Sequence, residues 1–416
     1  MYKFMIEGKT PWIGDIKISG AKNTALPLIF ATILTDQPVT LTNVPQLRDV
    51  TTALKLLEAI GKTCTQEGNV VNISGKVTSC KPPYDMVRTM RASVMLLGPL
   101  VAKLGKADVG LPGGCAIGAR PVNYHVNGLR QLSAFAEDNG ECVLAKADKL
   151  IGNVIEMENV SVTGTENMVM AAVFAEGTTV IENAAREPEV SDLCSFLRLL
   201  GADIEGDGTT SITIKGVEKL GGGTYPVQPD RIETGTYLVG AAVSGGHIRC
   251  LNTDYHLLQA VVDKLVEAGA KVTLTEDTIE LDMQGRELRP VNISTEPFPD
   301  FPTDMQAPFT VLNAVAKGTA TIKENIFENR FMHVPELVRM GAKITQEGDM
   351  ATCYDTDTLK GATVMATDLR ASASLVIAGT IAEGTTIVDQ VDYIDRGYEQ
   401  IEKKLNALGC KITRIK

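Results

Sequence analysis

Ala25-Leu-Pro-Leu-Ile-Phe-Ala-Thr-Ile-Leu34 has helical spacing and no polar face. A helix of that kind must be buried on every side. Five more runs share its character: Ala92-Ser-Val-Met-Leu-Leu-Gly-Pro-Leu-Val101, Asn167-Met-Val-Met-Ala-Ala-Val-Phe174, Thr236-Tyr-Leu-Val-Gly-Ala-Ala-Val243, Pro308-Phe-Thr-Val-Leu-Asn-Ala-Val315 and Ala371-Ser-Ala-Ser-Leu-Val-Ile-Ala378. A small-residue and glycine turn then leads into a strand, as in Glu176-Gly-Thr-Thr-Val-Ile181 and Glu383-Gly-Thr-Thr-Ile-Val388. An amphipathic helix follows, with Tyr398, Ile401, Leu405 and Leu408 on one stripe in the last copy, and then a strand pair.

The amphipathic helices end in Leu-Gly-Ala-like junctions, with glycines at 61, 201, 269, 341 and 409 and a weaker copy in Asp138-Asn-Gly140-Glu. The step from Gly61 to Gly140 is the longest, which makes the segment around Cys115 read as an insertion on a repeated frame. Three such units per half, with apolar helices at the centre and sheets outside, predict an α/β fold of two inside-out α/β barrels. A solenoid would need a polar face that the first helices lack. The last copy stops at Lys411-Ile-Thr-Arg-Ile-Lys416, and Tyr2-Lys-Phe-Met-Ile-Glu-Gly8 fits its missing strand. The expected domains are therefore residues 22–228, and residues 1–21 with 229–416, with crossings near 21 and 229.

At 416 residues the chain is long enough for two cores. Its 44% hydrophobic and 22% charged residues are those of a soluble globular protein, and no run is long and apolar enough to span a membrane. A cytoplasmic location is expected. The net charge of -11 argues against nucleic acid as a partner. Eight cysteines without a CxxC pair indicate neither zinc nor a disulfide framework, so no metal is expected. Oligomeric state is not predicted.

An acidic protein that binds anions must gather its cations locally. Arg48, Arg120, Arg186, Arg330 and Arg396 recur just before the second helices, and Lys22, Arg91, Arg231, Asp304 and Arg370 mark starts of buried helices. Helix N-termini with arginines make an anion receptor. Some of these arginines are expected instead in ion pairs with Glu187, Glu189, Asp368 or Glu328. Asp304 reads either as a helix cap or as a general base. In Leu111-Pro-Gly-Gly-Cys-Ala-Ile-Gly-Ala-Arg-Pro-Val122, glycines and prolines exclude helix and central strand, leaving a loop that carries the Cys115 thiol beside Arg120.

Ser19-Gly-Ala-Lys-Asn23, the Cys115 loop, Glu182-Asn-Ala-Ala-Arg-Glu-Pro-Glu189, Pro229-Asp-Arg-Ile-Glu-Thr-Gly235, Phe301-Pro-Thr-Asp-Met-Gln306, Phe327-Glu-Asn-Arg-Phe-Met-His333, Ala366-Thr-Asp-Leu-Arg-Ala-Ser372 and Ile394-Asp-Arg-Gly-Tyr398 together resemble the UDP-N-acetylglucosamine enolpyruvyl transferase family. The resemblance spans nearly the whole chain. It implies the two-domain inside-out barrel and transfer of enolpyruvate from phosphoenolpyruvate to the 3-hydroxyl of UDP-N-acetylglucosamine with release of phosphate. That reaction is the first committed step of peptidoglycan synthesis, and it needs no cofactor.

The resemblance also implies residue roles. Lys22, Arg120 and Arg396 would hold phosphoenolpyruvate, with Arg91 and Arg370 completing the cationic wall and Arg330 also binding substrate. Asn23, Asp304 and the backbone near Ile326 would contact the sugar, with Asp368 beside them. Cys115 would protonate the methylene carbon or form a covalent phospholactoyl adduct, and would be alkylated by the epoxide antibiotic fosfomycin. Asp304 would take the proton of the attacking hydroxyl. Pro121, Val122, Asn123 and Tyr124, with Ser161, Val162 and Gly164, would touch the uridine diphosphate end.

The chain departs from the family pattern at that end. Asn123 and Tyr124 stand where an aspartate and an aliphatic residue are frequent, Asn159 where many members carry lysine, and Thr163-Gly164 where they carry Gly-Ala. His125 reads either as a ligand contact or as a packed neutral histidine. Two other functions compete: transfer to shikimate 3-phosphate on the same fold, and noncatalytic sensing of a sugar nucleotide.

Overall fold

The computed structural model describes residues 2–113 and 121–416, so Cys115 and Arg120 lie outside the described residues. The described residues divide into two compact units, 20–113 with 121–228, and 2–19 with 229–416. Each has its own hydrophobic core. Each is an inside-out α/β fold.

The six apolar runs form the inner helices α1 (Lys22–Ala31), α2 (Leu97–Leu104), α3 (Val162–Ala172), α4 (Arg231–Val243), α5 (Gln306–Val315) and α6 (Leu369–Ile381). In α4, 12 of 13 residues are buried, whereas the amphipathic helix Gln259–Glu267 after it buries 3 of 9. The contrast follows from the patterns: a helix apolar all round goes inside, and a striped one lies on the sheet side.

One inner run does not begin as α-helix. Arg91–Leu96 forms 3₁₀ turns, and regular α-helix begins only at Leu97. The Asn167 side chain of α3 supplies the cause. Its Nδ2 donates to Val94 O at 3.0 Å, and its Oδ1 accepts from Gly98 N at 2.6 Å. Those are the two backbone groups that an α-helical turn would join to each other. Asn167 thus replaces one rung of the ladder and fixes where the segment carrying Arg91 ends.

Five of the six sheets have four strands. In one, His247–Leu251 pairs in parallel with Ile13–Lys17 and antiparallel with Thr278–Asp282, which pairs with Lys271–Leu274. The sixth has only Lys106–Gly110, Cys142–Lys146 and Phe135–Asp138. Where a parallel edge strand would lie, Cys80 O accepts from Asp108 N at 2.9 Å, and Pro82 and Pro83 follow without donors to extend the ladder. In the other unit, Lys3–Glu7 lies between Thr385–Asp389 and Lys411–Ile415, antiparallel to both, with Phe4 and Ile6 fully buried.

The frame of the repeat needs one correction. Gly140 is the turn glycine between Phe135–Asp138 and Cys142–Lys146, not a helix end. The helix Asn123–Gln131 is instead followed by Ser133, at φ 68°, which takes the left-handed conformation that Gly61 and Gly201 hold at 116° and 111°. With Ser133 in register, the step from Gly61 equals that from Gly269 to Gly341, and the other three steps equal one another. The copy with Cys115 is therefore not enlarged. Its length is redistributed: the strand ends at Gly110 and the helix starts at Asn123 there, against Thr42 and Arg48 in the first copy.

Candidate active site

In the unit of residues 229–416, three charged residues nominated from sequence come together. Asp304 sits in a 3₁₀ turn, Thr303–Met305, directly before α5. Its Oδ1 lies 2.7 Å from Arg330 Nη2 and its Oδ2 lies 3.2 Å from Arg370 Nη2. It makes no side-chain cap to the turn, so of its two sequence readings the cap is excluded. Burial by itself would raise the pKa of the carboxyl. Arg330 and Arg370 outweigh it, aided by Arg231, and hold the group well below the ordinary carboxylate range.

Both arginines are themselves fixed. Arg330 Nη1 donates to Thr303 Oγ1 at 2.9 Å, and its guanidinium lies 5.2 Å from the Phe327 ring centroid. Arg370 lies 5.3 Å from the ring centroid of Tyr398, whose hydroxyl is 2.8 Å from Thr236 Oγ1. Burial works against the charge of Arg370, but Tyr398, Asp304 and Asp230 raise its pKa and keep it cationic. Its Nη1 is buried and has no hydrogen-bond partner among the described residues. A buried guanidinium donor left unmet costs free energy, and an incoming anion would satisfy it.

Asp368 and Ile326 are positioned by local chemistry. Asp368 caps α6, its Oδ1 accepting from Arg370 N at 2.9 Å and Ala371 N at 3.1 Å. Ile326 is held by Glu324, a buried residue that sequence reading missed. Glu324 Oε1 accepts from Ile326 N at 3.0 Å and Phe327 N at 3.2 Å, and also takes the Thr295 and Thr303 hydroxyls at 3.0 Å. A glutamate closing a strand before a turn was the available signal. Arg396 ends the 3₁₀ segment Val391–Arg396 and is partly exposed.

The unit of residues 20–228 carries the rest. Lys22 opens α1 and lies 3.2 Å from Asp49 Oδ2, with Asn23 exposed beside it. Arg91 opens the 3₁₀ segment. His125 is buried, and its Nδ1 lies 2.9 Å from Asn167 Nδ2. Because Gly98 N occupies Asn167 Oδ1, the asparagine can only donate here, so Nδ1 accepts and the proton sits on Nε2. Burial and then Arg91 lower the His125 pKa to about 3. The packed neutral histidine is the reading that this geometry favours.

Pro121 and Asn123 are exposed, Val122 is buried, and Tyr124 is half-buried. The Tyr124 hydroxyl accepts from Asn159 Nδ2 at 3.1 Å, which joins this stretch to the one entering α3. There Ser161 caps the helix by accepting from Gly164 N at 3.1 Å, leaving Val162 in the first turn. A cavity of about 460 Å³ lined by Lys103, Lys106, Lys146, Lys149 and Phe174 contains none of the nominated residues. It lies at the opposite end of α2 from Arg91.

Buried helices of this fold place arginines and a carboxylate at or directly before their starts. The sequence profile of the EPSP synthase family, 3-phosphoshikimate 1-carboxyvinyltransferase, matches residues 6–405, and the chain belongs to that family. Curated proteins named UDP-N-acetylglucosamine 1-carboxyvinyltransferase are similar over their whole length. The one from Aeromonas hydrophila is 61% identical over 417 residues, and one from Vibrio cholerae serotype O1 is 58% identical over 418, each alignment covering 100% of both chains. The crystal structure of the enolpyruvyl transferase NikO from Streptomyces tendae superposes with a TM-score of 0.89 at 23% identity, covering 99% of this chain and 98% of that one. At that identity the likeness speaks for the fold.

Proposed function

We propose that the protein transfers the enolpyruvyl group of phosphoenolpyruvate to the 3-hydroxyl of UDP-N-acetylglucosamine, releasing phosphate. The observation that carries this reading is the full-length identity of about three residues in five with curated proteins named for that activity. Addition forms a bond from the sugar oxygen to the central carbon of the enol while a proton reaches its methylene carbon. Elimination removes a proton from the methyl group so formed and expels phosphate, restoring the double bond on the new ether.

Cys115 delivers the first proton or forms the covalent phospholactoyl adduct, a role that rests on the resemblance. Asp304 accepts the hydroxyl proton. Its support is an ionised carboxylate, held by Arg330 Nη2 at Oδ1, 2.7 Å away, and by Arg370 Nη2 and Nε at Oδ2, 3.2 and 3.3 Å away. Lys22, Arg91, Arg120, Arg370 and Arg396 hold the anionic groups and stabilise the departing phosphate. Such a reaction draws on cytoplasmic metabolites, which fits a cytoplasmic protein in cell-wall synthesis. No helix among the described residues is long and apolar enough to cross a membrane.

Phosphate release measured with phosphoenolpyruvate and each acceptor tests the proposal. Turnover is expected with UDP-N-acetylglucosamine and a fall of about 100-fold or more in Asp304→Asn. Turnover only with shikimate 3-phosphate would show that the acceptor follows the family description, not the most similar relatives.

A further inference from the structure

The cavity of about 460 Å³ at the end of α2 belongs wholly to the unit of residues 20–228. Its size falls within the roughly 300–1,000 Å³ of small-molecule sites. Gly105 ends α2 at φ 72°, with Lys103 before it and Lys106 after it. Lys146 and Lys149 stand on a second segment, in which Ala147 N donates to Gly105 O at 2.9 Å. The two segments cross so closely that a Cβ on Gly105 would lie 2.8 Å from Ala147 O. That crossing sets four lysines around one space, with Phe174, just past the end of α3, half-buried in its wall.

Ion pairs do not use up this charge. Lys103 pairs with Asp36 at 3.1 Å, and Lys149 with Glu176 at 2.5 Å. Lys106 and Lys146 have no ion pair among the described residues, and they stand directly opposite each other in the antiparallel ladder. Asp108, on the same face of the strand as Lys106, is taken by Lys81 at 2.9 Å, and the one acid in the lining, Asp148, is exposed. Like charges opposite each other destabilise a sheet. The partial negative charge at the end of α2 accounts for Lys103 in its last turn, but Lys106 and Lys146 stand on strands beyond it.

We propose that this cavity is a second anion site, which takes a phosphorylated small molecule between Lys106 and Lys146 with the organic part of the ligand against Phe174. A phosphate carries the charge and the acceptor oxygens to bridge the two ammonium groups and relieve their repulsion. The aromatic wall suits a ligand with a flat ring. Asp36 follows α1, Lys103 lies in the last turn of α2 and Phe174 follows α3. The site therefore gathers the far ends of the three inner helices whose starts carry Lys22, Arg91 and Val162, and it is separate from the residues nominated for catalysis.

Calorimetric titration with ATP tests this, with adenosine as the uncharged comparison. ATP is expected to bind the parent, less tightly as salt rises, and adenosine about tenfold or more weakly than ATP. The double variant Lys106→Ala with Lys146→Ala changes two exposed positions and removes two like charges, so it is expected to melt no lower than the parent. Its affinity for ATP is expected to fall about tenfold or more. Saturating phosphoenolpyruvate is expected to leave the affinity of the parent for ATP unchanged. No binding of ATP by the parent, or an affinity that the double variant retains, would overturn the site. Displacement of ATP by phosphoenolpyruvate would overturn it as well, because the anion would then sit at the helix starts.

Discussion

His125 and His333 are buried in different units, and burial followed by a neighbouring arginine lowers the pKa of each to about 3. An unfolded histidine titrates near pH 6.5. As pH falls below that value the unfolded chain binds protons that the folded chain refuses. The stability that these histidines contribute is therefore fully present above about pH 6.5 and is lost toward pH 3, at roughly 1.4 kcal/mol per pH unit for each. Urea denaturation at about pH 7 and pH 5 is expected to show a loss of several kcal/mol, and His333→Gln a shallower one. Equal stability at the two pH values would contradict the burial of both rings as neutral species. The charges of the site were legible from sequence because the repeat placed Asp304 and Arg370 at the starts of buried helices and Arg330 just before a second helix. Asn167 was not, since it acts on backbone brought to it only by folding, and Glu324 was missed although it binds the backbone two and three residues ahead of it.

At the scale of elements, the period-3.6 apolar runs were enough to find all six inner helices, because a helix without a polar side has few places to go. Two features escaped. Ser133 holds a left-handed conformation without being a glycine, so a search for junction glycines passed over it and settled on a turn. The interruption before Leu97 was hidden because its cause, Asn167, is 70 residues away from Leu97. The tight packing of α4 makes a prediction. The sole tryptophan, Trp12, is fully buried and donates from Nε1 to Thr380 Oγ1 at 3.1 Å. A Cβ on Gly240 would lie 2.1 Å from its ring. Gly240→Ala is expected to destabilise the protein by about 1–3 kcal/mol or more, through displacement of the ring. Thermal unfolding followed by tryptophan fluorescence would show it, and an unchanged midpoint would mean that the ring moves without cost.

At the scale of the molecule, the two cores share no residue: one draws on residues 25–227, the other on 4–18 and 232–412. The ends of the first unit meet, Ala21 N donating to Gln228 O at 2.9 Å. A protein of residues 20–228 alone is expected to fold, with helical circular dichroism and one cooperative transition. Residues 229–416 without 2–19 would lack a central strand and Trp12, and are expected to stay unfolded or to aggregate. A cooperative transition from that second piece would show that the strand is dispensable.

The placement of Lys3–Glu7 between Thr385–Asp389 and Lys411–Ile415 also sets an order in time. At about 5–20 residues per second, on the order of 20–80 s pass during synthesis between the strand and its later neighbours. Residues 20–228 can mature in that interval while Phe4 and Ile6 wait without a core. The half that holds Asp304 is thus the last to become sensitive to its ligands and the longest exposed to chaperones.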